Sequence, residues 1–182
     1  MIMKRIKNKL VIIKIVILIF ATATSYSQKA YIPPVVGSSG YNYITASSNM
    51  GPSYGLSYVP KNIDDNSLFT WWSPLPNDRE TCWIKISFDN ERVIDNIQIH
   101  GGAHYPNYAN LGNVYFLNLR VKSANLTFSD GTSRYINLDD VDQIQTIYFP
   151  RKYSSYVIVR PSSYYASYKW NDPCISYIKF AN

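Results

Sequence analysis

Charge is scarce in this chain. Only 16% of its 182 residues are Asp, Glu, Lys or Arg, and histidine and cysteine occur twice each. With 46% hydrophobic residues beside that low charge, it is not a solvated disordered chain, which lacks the apolar surface to offset its entropy. No internal repeat is visible, and no segment keeps a helical period over three turns. There is no Gly-x-Ser-x-Gly elbow and no Gly-x-x-x-x-Gly-Lys loop, so neither a nucleophile turn nor a phosphate cradle is offered. The first 27 residues contain no acid, yet they hold Lys4, Arg5, Lys7, Lys9 and Lys14. Most of the formal net charge of +6 is therefore theirs, and the remainder is close to neutral. A nucleic-acid binder carries its basic stripe on the folded domain, so that class is set aside. The length suits one domain rather than a large multidomain enzyme.

What is present is first a leader. Residues 1–27 read as a signal peptide: a cationic start, an apolar run from Leu10 to Ala23 broken by Lys14, then Ser25 and Ser27 around Tyr26. Cleavage before Gln28 fits the small-x-small rule. The apolar run falls short of the roughly 20 residues that span a bilayer. A secreted protein, periplasmic or extracellular, with no transmembrane anchor after cleavage is expected. Export places Cys82 and Cys174 in an oxidising setting. They either pair or stay as buried thiols, and the sequence leaves both open because it gives no Cα separation.

Residues 28–42 read as an N-terminal arm and 43–182 as one domain. A short strand is expected at Tyr43–Ala46. From Cys82 onward, short apolar segments recur between turn signals, the pattern of an all-β chain. Cys82, Ile84, Ile86 and Phe88 share one face, and Ile97 and Ile99 point inward from the next segment. Leu119 and Val121 share a parity that Ala124, Leu126 and Phe128 do not, so a bulge is expected near Lys122–Ser123. Ser129-Asp130-Gly131-Thr132 is a turn into Ser133–Leu138. Ile144–Phe149, Tyr156–Arg160 and Ile175–Phe180 complete about eight antiparallel strands, which predict a β-sandwich.

The residues also resemble a known family. Ile44-Thr45-Ala46-Ser47-Ser48, Asn62-Ile63-Asp64-Asp65-Asn66 and Thr70-Trp71-Trp72-Ser73 are similar to the opening of a discoidin domain, the coagulation-factor C-terminal type. Ile97 to Gly102, Leu119 to Lys122, Leu126 to Thr132, Gln145-Thr146-Ile147 and Asp172 to Phe180 resemble its NADase-type glycan-binding branch. The resemblance implies a jelly-roll β-sandwich of the galactose-binding-like kind whose loops at one end bind glycans. It does not imply a NADase, because the enzymatic part of that family is a separate domain. It also implies that Trp72 lies in the core. Calcium-binding relatives use an acidic residue where this chain has Tyr177, beside an early Asp loop represented here by Asp65 and Thr70. With that acid missing, no cofactor is expected, and Asp65 and Thr70 are weak calcium candidates only. The Tyr- and Asn-rich stretch from Ala103 to Phe116 departs from the family and could set specificity.

Sugar binding needs a flat ring against the C–H face of a pyranose and polar groups for its hydroxyls. The 17 tyrosines supply such rings. Candidate ligand-binding residues fall in three groups: His104, Tyr105 and Tyr108; Tyr164, Tyr165, Tyr168 and Trp170; and Trp71 with Asp78 and Arg79. They are expected to converge on one rim. His100 and His104 stand four apart, but Gly101 and Gly102 between them argue against the helix a metal pair would need, so no metal site is expected. The Asp64–Asp65 and Asp139–Asp140–Asp142 groups read as solvated turns rather than a glycosidase pair. The expected function is non-catalytic carbohydrate binding, with a protein partner or self-association through the same loops as the alternative.

Overall fold

A computed structural model describes residues 41–53, 55–106 and 111–182. The leader, the arm up to residue 40 and Tyr108 lie outside the described residues. The elements are β1 (Tyr41–Ala46), β2 (Ile84–His100), α1 (Val114–Leu117), β3 (Leu119–Phe128), β4 (Ser133–Asn137), β5 (Gln145–Tyr165), β6 (Pro173–Cys174) and β7 (Tyr177–Ala181). Hydrogen bonding orders them β1-β2-β5-β3-β4, with β7 also on β2 and β6 on β3. No helix among the described residues is long and apolar enough to cross a membrane.

Strand alternation builds the core. Ile84 and Ile86 are fully buried and Phe88 is buried, while Lys85 and Ser87 between them stay partly exposed. Ile97 and Ile99 at the far end of β2 enter the same cluster, with Leu126 and Phe128 of β3, Val157 and Val159 of β5 and Ile178 of β7. The sheet therefore curls on itself and its buried faces meet, as a jelly-roll β-sandwich requires. The parity change in β3 is a bulge: its pairing with β5 shifts register on both sides of Ser123. Trp72 is wholly buried, and its indole N–H donates to Ser48 O at 2.9 Å.

Three expectations are corrected. Ile84–Phe88 and Val93–Ile99 form one strand, β2, and the two segments between Ile144 and Arg160 form one strand, β5. The Asp89-Asn90-Glu91 stretch carries turn chemistry, but it serves a bulge: β2 runs longer than its partner between Ser87 and Arg92. Pro150 lies where β5 is the longer strand, between the partners of Ile94 and Asn96, so its missing N–H costs no ladder bond. The strands are also not all antiparallel, since β6 runs parallel to β3. Finally, α1 occupies a stretch that reads as loop. Four residues cannot show a period, and the helix owes its start to Asn113, whose side chain accepts from the Tyr115 N–H at 2.9 Å.

Both cysteines are buried free thiols. Cys82 belongs to the sandwich core and Cys174 to a second apolar cluster, and burial raises both thiol pKa values. Of the two states open from sequence, the structure holds the unbridged one.

Leu126 has no exposed surface, and truncating such a residue removes transfer energy and leaves a cavity. Leu126→Ala is expected to lower unfolding free energy by about 2–5 kcal/mol in a denaturant titration. A loss within experimental error would contradict its place in the core.

Candidate functional site

The long β1–β2 loop is fastened to the sandwich at Trp72. Its backbone exchanges hydrogen bonds with Ile175, at 2.9 Å and 3.1 Å. Neighbouring side chains on an extended segment point opposite ways, so Trp71 turns from the core that Trp72 fills. It joins a second apolar cluster with Tyr58, Ala103, Val114 and Cys174, against which Tyr105, Leu117 and Trp170 also pack. The Trp71 and Tyr58 rings are tilted, with centroids 5.8 Å apart. Asn62 holds this arrangement by donating to Ser57 O at 2.6 Å and Trp71 O at 3.0 Å.

The β5–β6 loop closes over this cluster. Tyr168 N and Trp170 N donate to Phe116 O and Leu117 O of α1, at 3.0 Å and 2.7 Å. Arg120, almost wholly buried, ties the same loop to β3. Its guanidinium pairs with both carboxylate oxygens of Asp140 and donates to Ala166 O at 2.7 Å. Between the loops lies a cavity of about 420 Å³. Tyr58, Trp71, Trp170 and Val114 give it apolar walls, and Ser53, Asn118, Lys169 and Asp172 give it polar ones. The Lys169 ammonium sits 4.8 Å from the Trp170 ring centroid. Asp172 is the one acid among the described residues that line it, and burial raises its pKa.

A polar cluster adjoins the cavity. The Asp142 carboxylate accepts from His100 Nε2 at 2.9 Å, His104 Nδ1 at 2.8 Å and Asn113 Nδ2 at 2.9 Å. Burial alone would raise the Asp142 pKa, but these three donors outweigh it and hold the carboxyl at about 2. Gly102 is required beside it, because a Cβ there would collide with the Tyr115 ring.

The residues singled out from sequence divide accordingly. Trp71 and Trp170 line the cavity, and Tyr105 packs behind it. His104 belongs to the Asp142 cluster, and its ring lies 5.6 Å from Phe69. Tyr168 is 80% exposed on the rim near Phe116. Tyr164 and Tyr165 turn elsewhere: their hydroxyls donate to Arg79 O at 2.8 Å and Leu138 O at 2.9 Å. Asp78 and Arg79 lie on a separate turn, where Arg79 pairs with exposed Glu80. Tyr58, Asn118 and Asp172 were not singled out as ligand-binding residues. Only Asp172 carried a local signal, as the first residue of the Asp-Pro-Cys closing motif. Asp65 and Thr70 bond each other, and Asp65 also caps Ser67 N at 2.8 Å. With Tyr177 in place of an acid, that donor set does not fit calcium, which takes six to eight oxygens.

A family model described as the NAD glycohydrolase translocation F5/8 type C domain matches residues 36–181. The chain belongs to that family. No curated protein sequence matches it. Among solved structures, this F5/8 type C domain is similar to the module CpGH89CBM32-5 of Clostridium perfringens, in complex with GalNAc-β-1,3-galactose. The TM-score is 0.58 at 16% identity, covering 84% of this chain and 100% of the module. The family 32 carbohydrate-binding module of Clostridium perfringens NanJ, in complex with galactose, scores 0.58 at 13% identity, covering 82% and 96%. A pectin-binding module scores 0.55 at 16% identity, covering 78% and 91%. These likenesses establish the fold read from the sequence.

The raised pKa of Asp172 in this F5/8 type C domain has a thermodynamic sign. Burial penalises its charged form, so the folded state binds the proton more tightly than the unfolded chain and loses stability as pH rises through the folded pKa. Asp172→Asn is therefore expected to raise the melting midpoint at pH 7, with the gain vanishing below about pH 4, where the unfolded carboxyl is protonated too. Melting curves across pH check this; an equal gain at every pH would refute it.

Proposed function

We propose that this chain is an exported, non-catalytic glycan-binding module that takes a saccharide in the cavity between Trp71, Tyr58 and Trp170. The leader read in residues 1–27 would direct export, and cleavage before Gln28 would leave the arm and the domain. The observation that carries the reading is the chemistry of the walls. Aromatic residues and an acid, an amide, a hydroxyl and an ammonium line one concavity of about 420 Å³. A pyranose needs both kinds of surface. A ring face would pack on Trp170, the Asp172 carboxylate would accept from sugar hydroxyls, and Lys169 would donate. The galactose and GalNAc-β-1,3-galactose complexes of two structural neighbours support the same use of this fold.

The non-catalytic part rests on the same walls. A glycosidase works with two carboxylates facing one bond, and Asp172 is the one acid among the described residues that line the cavity. A single shallow site binds modestly because sugar hydroxyls must leave water, so clustering of several copies would raise the apparent affinity.

A glycan screen with the chain tests the proposal. Trp170→Ala is expected to weaken binding about tenfold, the loss of one stacked ring with its buried area. Tyr168→Ala, on the exposed rim, is expected to change little. Loss with Tyr168→Ala alone would move the site out of the cavity. A stable protein complex indifferent to every sugar would favour a protein partner or self-association on these loops.

A further inference from the structure

We propose that His100, His104 and Asp142 form a binding site for a divalent transition-metal ion, zinc foremost. One nitrogen from each histidine and one carboxylate oxygen lie within 4.8 Å of one another. Two imidazoles and a carboxylate are the donor set of zinc and its neighbours in the first transition row, whereas calcium and magnesium seek oxygen. Three segments meet there: the end of β2, the β2–β3 loop and the β4–β5 loop. The Gly101–Gly102 pair that argues against a helix does not matter, because the third donor arrives from Asp142 on a different loop.

The supporting shell is also in place. An ionised carboxylate only accepts hydrogen bonds, so without a metal His100 carries a proton on Nε2 and His104 one on Nδ1. Binding the ion through those nitrogens requires each proton to leave for solvent or move to the other ring nitrogen. For His100 that nitrogen is Nδ1, with Gly102 O at 3.1 Å and Ser176 Oγ at 2.7 Å placed to accept a hydrogen bond from its N–H. Metal-bound histidines place their remote N–H on such acceptors. Asn113 steadies the second oxygen of Asp142 at 2.9 Å. The His100 side chain is sealed from solvent, but those of His104 and Asp142 are 24% and 16% exposed, which leaves an entry path and an open position for water. Asn113 adjoins Val114 of the cavity wall, so an ion here would stiffen one side of that cavity. The site itself stands independently of any sugar reading.

The test uses the full chain, purified without a histidine tag, stripped with a chelator and dialysed. Calorimetric titration with zinc chloride is expected to show one equivalent bound. Zinc, but not magnesium or calcium, is expected to raise the melting midpoint. Cobalt(II) is expected to give a visible absorption band that zinc abolishes. His104→Ala and Asp142→Asn should weaken binding at least about 100-fold, and Asn113→Ala about tenfold. If a variant does not fold, the stoichiometry and cobalt spectrum of the parent chain decide. No binding by the parent, or equal binding by the parent and folded variants, would overturn the proposal.

Discussion

The pair of backbone hydrogen bonds between Trp72 and Ile175 is the constraint on which the rest depends. It fastens a loop of more than thirty residues to the closing segment of the chain. Once Trp72 is held in the core, the two-residue pleat obliges Trp71 to face away from it. The sandwich and the second apolar cluster are thus coupled through adjacent tryptophans. One contributes to folding, and the other becomes a wall.

The second cluster is small and depends on polar fastenings. Asn62, Arg120 and Asn118 are all buried. Asn62 donates to the loop carbonyls of Ser57 and Trp71, Asn118 to Val114 O of α1, and Arg120 to the Asp140 carboxylate and Ala166 O. Buried polar groups with partners specify one loop geometry where apolar contacts alone would permit several. A cavity of defined shape over loops is a consequence of those bonds. The same logic holds around Asp142, where one carboxylate gathers donors from the end of β2 and from the loop that leads into α1.

Strand residues were readable in advance because their information is local. Ile84, Ile86, Ile97 and Ile99 announce their burial by alternation, and the phase change between Val121 and Ala124 announces the bulge. Strand length was less readable. Asp89-Asn90-Glu91 has the same composition whether the chain reverses or bulges. Composition favoured all tyrosines alike, yet Tyr164 and Tyr165, at the end of β5, give their hydroxyls to backbone carbonyls away from the cavity. Tyr58 and Trp71 face each other although thirteen positions separate them.

The sequence by itself determined the all-β architecture, the inward faces and the family, because pleat parity and turn chemistry act over a few residues. Only the tertiary structure decided which rings share a concavity, that Cys82 and Cys174 lie in separate clusters, and that Asp142 joins His100 and His104. Those outcomes depend on how loops far apart in the chain are brought to one end of the sandwich, and no local pattern records that distance.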